Sequence, residues 1–287
     1  MEVRLAQYAG ACYGVERALS LTSEAAAAFG EVYTLGPLIH NPQVVSELAL
    51  QGICEVERVD AVGGGVLVIR SHGVKPQITQ AAREKGLTVV DATCPYVKKA
   101  QKAATELREQ GYTVVIVGEK GHPEVEAIDA YAGSESLVIQ DPADLPEPLP
   151  GGPLGIVVQT TQSAAALDAV VQALQQRGVD PRVKNTICFA TVQRQESAEL
   201  LAHEVDVMVV VGGRNSGNTT RLAQICEAVC ARTYHIERPE ELDPAWFEGA
   251  ERVGVTAGAS TPQEQITAVL SALRAISGGP PPNARPR

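Results

Sequence analysis

The chain has 287 residues, 45% of them hydrophobic, which is ample apolar material for cores, and its length alone would allow two domains. Lys plus Arg number 24 against 34 Asp plus Glu, a net charge of −10 that argues against nonspecific nucleic-acid binding and against attachment to an anionic membrane. No run of 18 apolar residues occurs and the N-terminus shows no leader pattern, so a cytoplasmic setting is expected, whose reducing poise suits thiolates rather than disulfides.

In chain order, residues 2–7 read as a strand. Gly10-Ala11-Cys12-Tyr13-Gly14 reads as a tight glycine-rich loop, and 14–29 as a helix. Apolar runs at 32–35, 114–117 and 207–211 are joined by strand candidates at 66–70, 87–91, 137–140, 155–159, 182–184, 233–236 and 253–256. Helix candidates alternate with them at 43–51, 76–85, 97–110, 124–131, 164–176, 190–203, 219–231 and 262–276. The helix after Cys94 begins at Pro95, a favoured first helical residue. Such alternation predicts an α/β fold with mostly parallel sheets. Residues 141–153 are proline-rich and read as a surface connection, and 277–287 as a disordered tail.

Three cysteine sites recur in matching surroundings. Counting 24 residues forward from Cys12, Cys94 and Cys188 reaches Gly36, Gly118 and Gly212, each closing an apolar run. Four residues further stand His40, His122 and Ser216, each leading into a helical segment. This predicts a threefold repeat of about ninety residues. The boundaries expected are 13–94, 95–188, and 189–276 together with 1–12. Three equivalent units would supply three equivalent thiolates to a shared centre. A structural zinc wants four protein ligands, whereas an iron-sulfur cluster can be held by three with one iron left open. The competing reading, three buried core thiols, does not explain the register with the glycines. Each of the three cysteines also immediately precedes a helix start, which favours a thiolate. Cys226 and Cys230, four apart on a helical pattern, are expected to be packing residues.

Parallel sheets gather ligands at the carboxyl ends of their strands. There the chain places His40, His122 and Ser216, and also His72, Thr160 with Thr161, and Ser260. Three of the five histidines lie at strand-to-helix junctions. With the Asn218 amide and helix N-termini they make a donor set for an oligophosphate, in which histidine can serve as the cation. Glu124 is the one carboxylate in the first set. It reads either as a favourable acid in a first helical turn or as a proton donor whose pKa a partly dehydrated pocket raises, and the second is preferred.

These residues resemble the 4-hydroxy-3-methylbut-2-enyl diphosphate reductase family. The matching stretches include Ala9 to Val15 around Cys12, His40-Asn41, Ser71-His72-Gly73-Val74, Asp91-Ala92-Thr93-Cys94-Pro95 and Gly121-His122-Pro123-Glu124-Val125-Glu126. Others are Gln159-Thr160-Thr161, Ile187-Cys188-Phe189-Ala190-Thr191, Asn215-Ser216-Gly217-Asn218 and Thr256-Ala257-Gly258-Ala259-Ser260. The resemblance implies a trefoil of three α/β domains around one four-iron four-sulfur cluster held by Cys12, Cys94 and Cys188. It implies that His40, His72, His122, Ser216, Asn218 and Ser260 bind an allylic diphosphate. It implies that Glu124 delivers protons and that Thr160 holds the substrate hydroxyl and the relay. Many members have Ser-Ser-Asn where this chain has Ser216-Gly217-Asn218, so one phosphate-binding hydroxyl is missing, while the Gly217 N–H can still donate. No nicotinamide motif is present, and the electrons are expected from a ferredoxin or flavodoxin. An iron-sulfur dehydratase and a non-catalytic iron-sulfur sensor stand as the competing readings.

Overall fold

The structure is a computed structural model that describes residues 1–278; from residue 279 onward the predicted tail lies outside the described residues. The chain opens with strand β1 (Glu2–Leu5) and helix α1 (Tyr13–Phe29). There follow β2 (Val32–Leu35), α2 (Pro42–Leu50), β3 (Ile53–Val56), β4 (Val66–Ile69), α3 (Pro76–Glu84) and β5 (Thr88–Asp91), and these strands pair in the order β3-β2-β4-β5. After α4 (Pro95–Glu109), the same sequence of elements returns as β6 (Thr113–Val117), α5 (Pro123–Tyr131), β7 (Leu137–Ile139), β8 (Leu154–Val158), α6 (Ala164–Gln176) and β9 (Arg182–Lys184), ordered β7-β6-β8-β9. It returns again after α7 (Phe189–Ala202) as β10 (Val207–Val211), α8 (Gly217–Val229), β11 (Thr233–Ile236), β12 (Arg252–Ala257) and α9 (Gln263–Ile276). Here the fourth strand is β1, from the other end of the chain, and the order is β1-β12-β10-β11.

All strand pairs in the three sheets are parallel. Parallel strands covered on both faces need side chains that are apolar on both, and the inner strands are such runs: Val66–Ile69, Leu154–Val158 and Val207–Val211 are buried throughout. Within β10 the period-2 alternation sends Val207, Val209 and Val211 into the core under α9, and Met208 and Val210 into the one under α7 and α8. Each such side chain contributes roughly 1.5–3 kcal/mol by leaving water.

By contact density the chain divides into two compact units: Tyr13–Cys188, which holds two of the sheets, and Met1–Cys12 with the chain from Phe189 onward, which holds the third. Two differences from the sequence reading are physical. Strand β1 stops at Leu5 rather than Gln7, because its ladder with β12 ends at the Leu5–Val255 pair. Strand β3 is absent from the periodicity reading: it pairs only with β2, and two of its four residues, Cys54 and Glu55, face solvent. As expected, Cys226 and Cys230 are buried packing residues in the core beneath α7 and α8.

The exits of β10 and β12 come together on Thr219 in the first turn of α8. The Gly258 N–H (2.9 Å) and the Thr261 hydroxyl (3.0 Å) both donate to the Val211 carbonyl. A Cβ on Gly258 would overlap the buried Thr219 Oγ1, and Thr219 is β-branched and stiff. Gly258→Ala is therefore expected to destabilise this unit by about 1–3 kcal/mol. A urea unfolding midpoint equal to that of the parent would show that the loop yields.

Candidate functional site

The edge strands β1, β5 and β9 each run within a few residues into a cysteine that starts a helix: Cys12 before α1, Cys94 before α4 and Cys188 before α7. One hydrogen bond is made three times over. The Cys12 N–H donates to the Ala259 carbonyl (3.0 Å), that of Cys94 to Ser71 (2.9 Å) and that of Cys188 to Thr160 (2.9 Å). Each cysteine is thus tied to the loop leaving the neighbouring strand, beside Ser260, His72 and Thr161 respectively. Around Cys94 the Asp91 carboxylate accepts the Thr93 N–H (3.0 Å) and pairs with Lys98 at 2.6 Å, which turns the chain into α4.

All six cysteines are thiols. Burial pushes the Cys226 thiol up to about 12, with Cys230 and Glu199 adding to the shift, so it is no thiolate ligand. Among the described residues no three His, Cys, Asp or Glu side chains form a ready metal-holding group. Cys12 belongs to one unit, Cys94 and Cys188 to the other. By donor chemistry each of the three suits an iron-sulfur cluster: a partly exposed thiol at the start of a helix.

Within the unit Tyr13–Cys188, three loops bring three imidazoles together. The ring centroids of His40 and His72 are 4.0 Å apart, those of His40 and His122 5.1 Å, and those of His72 and His122 5.7 Å. His40 follows β2, just before the α2 N-cap Asn41, whose Oδ1 accepts the N–H groups of Gln43 (3.1 Å) and Val44 (3.2 Å). His122 is itself the N-cap of α5, its Nδ1 accepting the Glu124 N–H at 3.1 Å. In the neutral ring the proton then sits on Nε2, which is left as a donor. His72 is half-buried, and its buried Nδ1 has no protein partner.

The sequence reading allowed histidine to serve here as the cation. The structure points the other way. Burial, and then the charge of Arg70, press His40 down to about 4. Burial, His40 and Arg70 press His122 to about 3, and burial with His40, His122 and Arg70 puts His72 well below its ordinary value. Before any anion binds, the three rings are neutral at pH 7.

Glu124 lies at the second position of α5 and is 1% exposed. A carboxylate there gains from the helix dipole, yet burial outweighs it and lifts the carboxyl to about 7, against the Thr160 hydrogen bonds that lower it. Those bonds come from the Thr160 N–H to Oε1 (2.6 Å) and the Thr160 hydroxyl to Oε2 (2.9 Å). Since the Thr160 carbonyl accepts from Cys188, the acid is tied through one residue to a cysteine.

The other unit carries Ser216, Gly217, Asn218 and Ser260. Ser216 caps α8, its Oγ accepting the Thr219 N–H at 3.4 Å, and Gly217 and Asn218 begin the helix. The Asn218 side chain is 4% exposed, and neither its amide nitrogen nor its oxygen has a protein partner. Such a group needs a ligand or water to offset its desolvation. Ser260, 6% exposed, sits two residues beyond Gly258 and its contact with Thr219.

Three supporting residues escaped the sequence reading. Gln159 accepts the Glu119 N–H through Oε1 (2.8 Å) and donates from Nε2 to the Thr161 hydroxyl (3.1 Å). A polar residue closing an apolar strand was the available signal. Arg194, buried in α7, donates to the Gly10 carbonyl at 2.8 Å, two residues before Cys12, and nothing in the helical pattern distinguishes it. Arg70 is the third.

Comparison with known proteins covers nearly the whole chain. The sequence matches the LytB protein family over residues 3–274. It is 51% identical to a 4-hydroxy-3-methylbut-2-enyl diphosphate reductase of Geobacter sp. (strain M21) over 278 residues, covering 96% of this chain and 98% of the relative. It is 48% identical to that of Geobacter sulfurreducens over 277 residues, with 96% and 97% covered. A solved (E)-4-hydroxy-3-methyl-but-2-enyl diphosphate reductase, described as the terminal enzyme of the non-mevalonate pathway, is 44% identical, with 96% of this chain and all of that one covered and a TM-score of 0.70. The reductase of Plasmodium falciparum is 26% identical, with 95% and 88% covered and a TM-score of 0.91. The chain belongs to the LytB protein family.

Proposed function

We propose that the chain is a 4-hydroxy-3-methylbut-2-enyl diphosphate reductase, which removes the allylic hydroxyl with two electrons and two protons and releases water with isopentenyl or dimethylallyl diphosphate. The observation that carries this reading is the buried Glu124–Thr160 pair, whose carboxyl is poised near 7, beside three clustered imidazoles. One four-iron four-sulfur cluster per chain, held by Cys12, Cys94 and Cys188, would supply the electrons and an open coordination place. In this reading the repeats 13–94, 95–188, and 189–276 with 1–12 give one cysteine each.

The remaining residues bind, orient and move protons. His40, His72 and His122 donate imidazole N–H bonds to the diphosphate. Ser216 and Ser260 add hydroxyls, Asn218 its buried amide and Gly217 a backbone N–H at the α8 N-terminus. The acid form of Glu124 hands a proton toward the departing hydroxyl, and Thr160 holds both the carboxyl and that hydroxyl. Electrons come from a ferredoxin or flavodoxin, in a cytoplasmic setting. Among the described residues no helix is long and apolar enough to cross a membrane.

Supplying the allylic diphosphate and a chemical reductant to anaerobically prepared protein tests the assignment. The two isomeric products are expected, and an unreacted diphosphate in the presence of a full cluster would contradict it. Binding and chemistry separate by substitution. His40→Ala and Ser216→Ala are each expected to weaken diphosphate binding by about 1–3 kcal/mol while the iron content stays that of the parent. Unchanged affinity in both variants would remove the phosphate assignment.

A further inference from the structure

Arg70 follows directly on β4, two residues before His72. Its Nε–H donates to the Gly73 carbonyl (3.3 Å) and the Gly73 N–H donates to the Arg70 carbonyl (3.0 Å), so side chain and backbone together close the turn that presents His72. The far end of the guanidinium reaches the loop that leads from β2 to His40. A Cβ on Gly36 would lie 2.7 Å from Nη1, and Gly36 has φ +66°, so this loop makes room for the guanidinium by having no side chain there. Between the two loops, Ser71 donates its N–H (3.2 Å) and its hydroxyl (3.1 Å) to the Leu38 carbonyl.

Arg70 is half-buried, and among the described residues no carboxylate lies within ion-pair distance of it. Glu55 on β3 and Glu126 on α5 are the acids whose charge it feels, and burial still lowers its pKa. Its field reaches all three imidazoles and helps to keep them unprotonated. A multiply charged anion in this pocket therefore meets three neutral donors, and the standing positive charge nearby is that of Arg70.

We propose that Arg70 is a positioning residue for the diphosphate: it clasps the loops carrying His40 and His72, and it supplies the permanent positive charge behind the three imidazoles. The inference rests on assigning those histidines to diphosphate binding.

Calorimetric titration of inorganic diphosphate into the anaerobically prepared, cluster-loaded protein tests it, using the parent, Arg70→Gln and Arg70→Lys at pH 8. Arg70→Gln is expected to lose about 10- to 100-fold in affinity at pH 8, the scale of one charge-assisted contact. Arg70→Lys should recover most of the affinity. Parent-like binding by Arg70→Gln overturns the proposal and leaves the histidine assignment standing. A deficit that Arg70→Lys shares in full overturns the charge role. A parent that binds no diphosphate overturns the histidine assignment, and the role of Arg70 with it.

Discussion

Glu124→Gln is expected to bind the diphosphate substrate as the parent does and to turn it over about 10²- to 10⁴-fold more slowly, the usual cost of a lost general acid. The amide keeps the shape of the side chain. Its oxygen can still accept the Thr160 N–H, and its nitrogen can donate to the Thr160 hydroxyl in place of the reverse bond. What disappears is a transferable proton. The pH dependence follows with its sign: a carboxyl at about 7 is charged with a proton below that value, so the parent rate should fall as pH rises through about 7. Stability moves in the same direction. The folded pKa is raised above the unfolded value of 4.5, so the contribution of this group is whole below 4.5 and is lost as pH rises through about 7. In Glu124→Gln that decline should be missing from the pH dependence of the thermal midpoint. A variant that turns over near the parent rate would make Glu124 a buried structural acid and shift the search for the donor to Thr160 and a water.

Cys12→Ser, Cys94→Ser and Cys188→Ser are each expected to drop anaerobically measured iron from about four per chain to near zero, while Cys54→Ser keeps it. The distinction lies in position. Each of the first three starts a helix, with its own N–H fixed to a neighbouring loop carbonyl at 2.9–3.0 Å, whereas Cys54 is exposed on the edge strand β3. In each of these bonds the residue after the acceptor is Ser260, His72 or Thr161. A full iron content in any one of the three variants would contradict the three-thiolate assignment.

Much of this was legible because the chain repeats itself. The count of 24 residues from each cysteine to Gly36, Gly118 and Gly212 reports a helix-turn-strand unit of fixed length, and the three sheets have matching strand orders. The register slips once. The N-caps of α5 and α8 are His122 and Ser216, but that of α2 is Asn41 rather than His40, a shift of one residue that spacing alone does not reveal. The resemblance names both Glu124 and Thr160, but spacing does not show that they touch, for a different reason. The residues are separated by 36 positions and meet because β6 and β8 are neighbours in the sheet, so that the exits of both strands open side by side. Charge was misread for a third reason: histidine composition carries no record of burial, and an arginine at the end of a strand looks like any solvated residue until Gly36 is seen to make room for it.

The most direct test counts electrons. Anaerobically loaded protein is given limiting allylic diphosphate and an excess of a chemical reductant whose oxidation is followed optically, and the products are quantified. Two electrons should be consumed per diphosphate converted, with isopentenyl and dimethylallyl diphosphate together equal to the substrate lost. Conversion without electron uptake would make the chain a dehydratase and contradict the account.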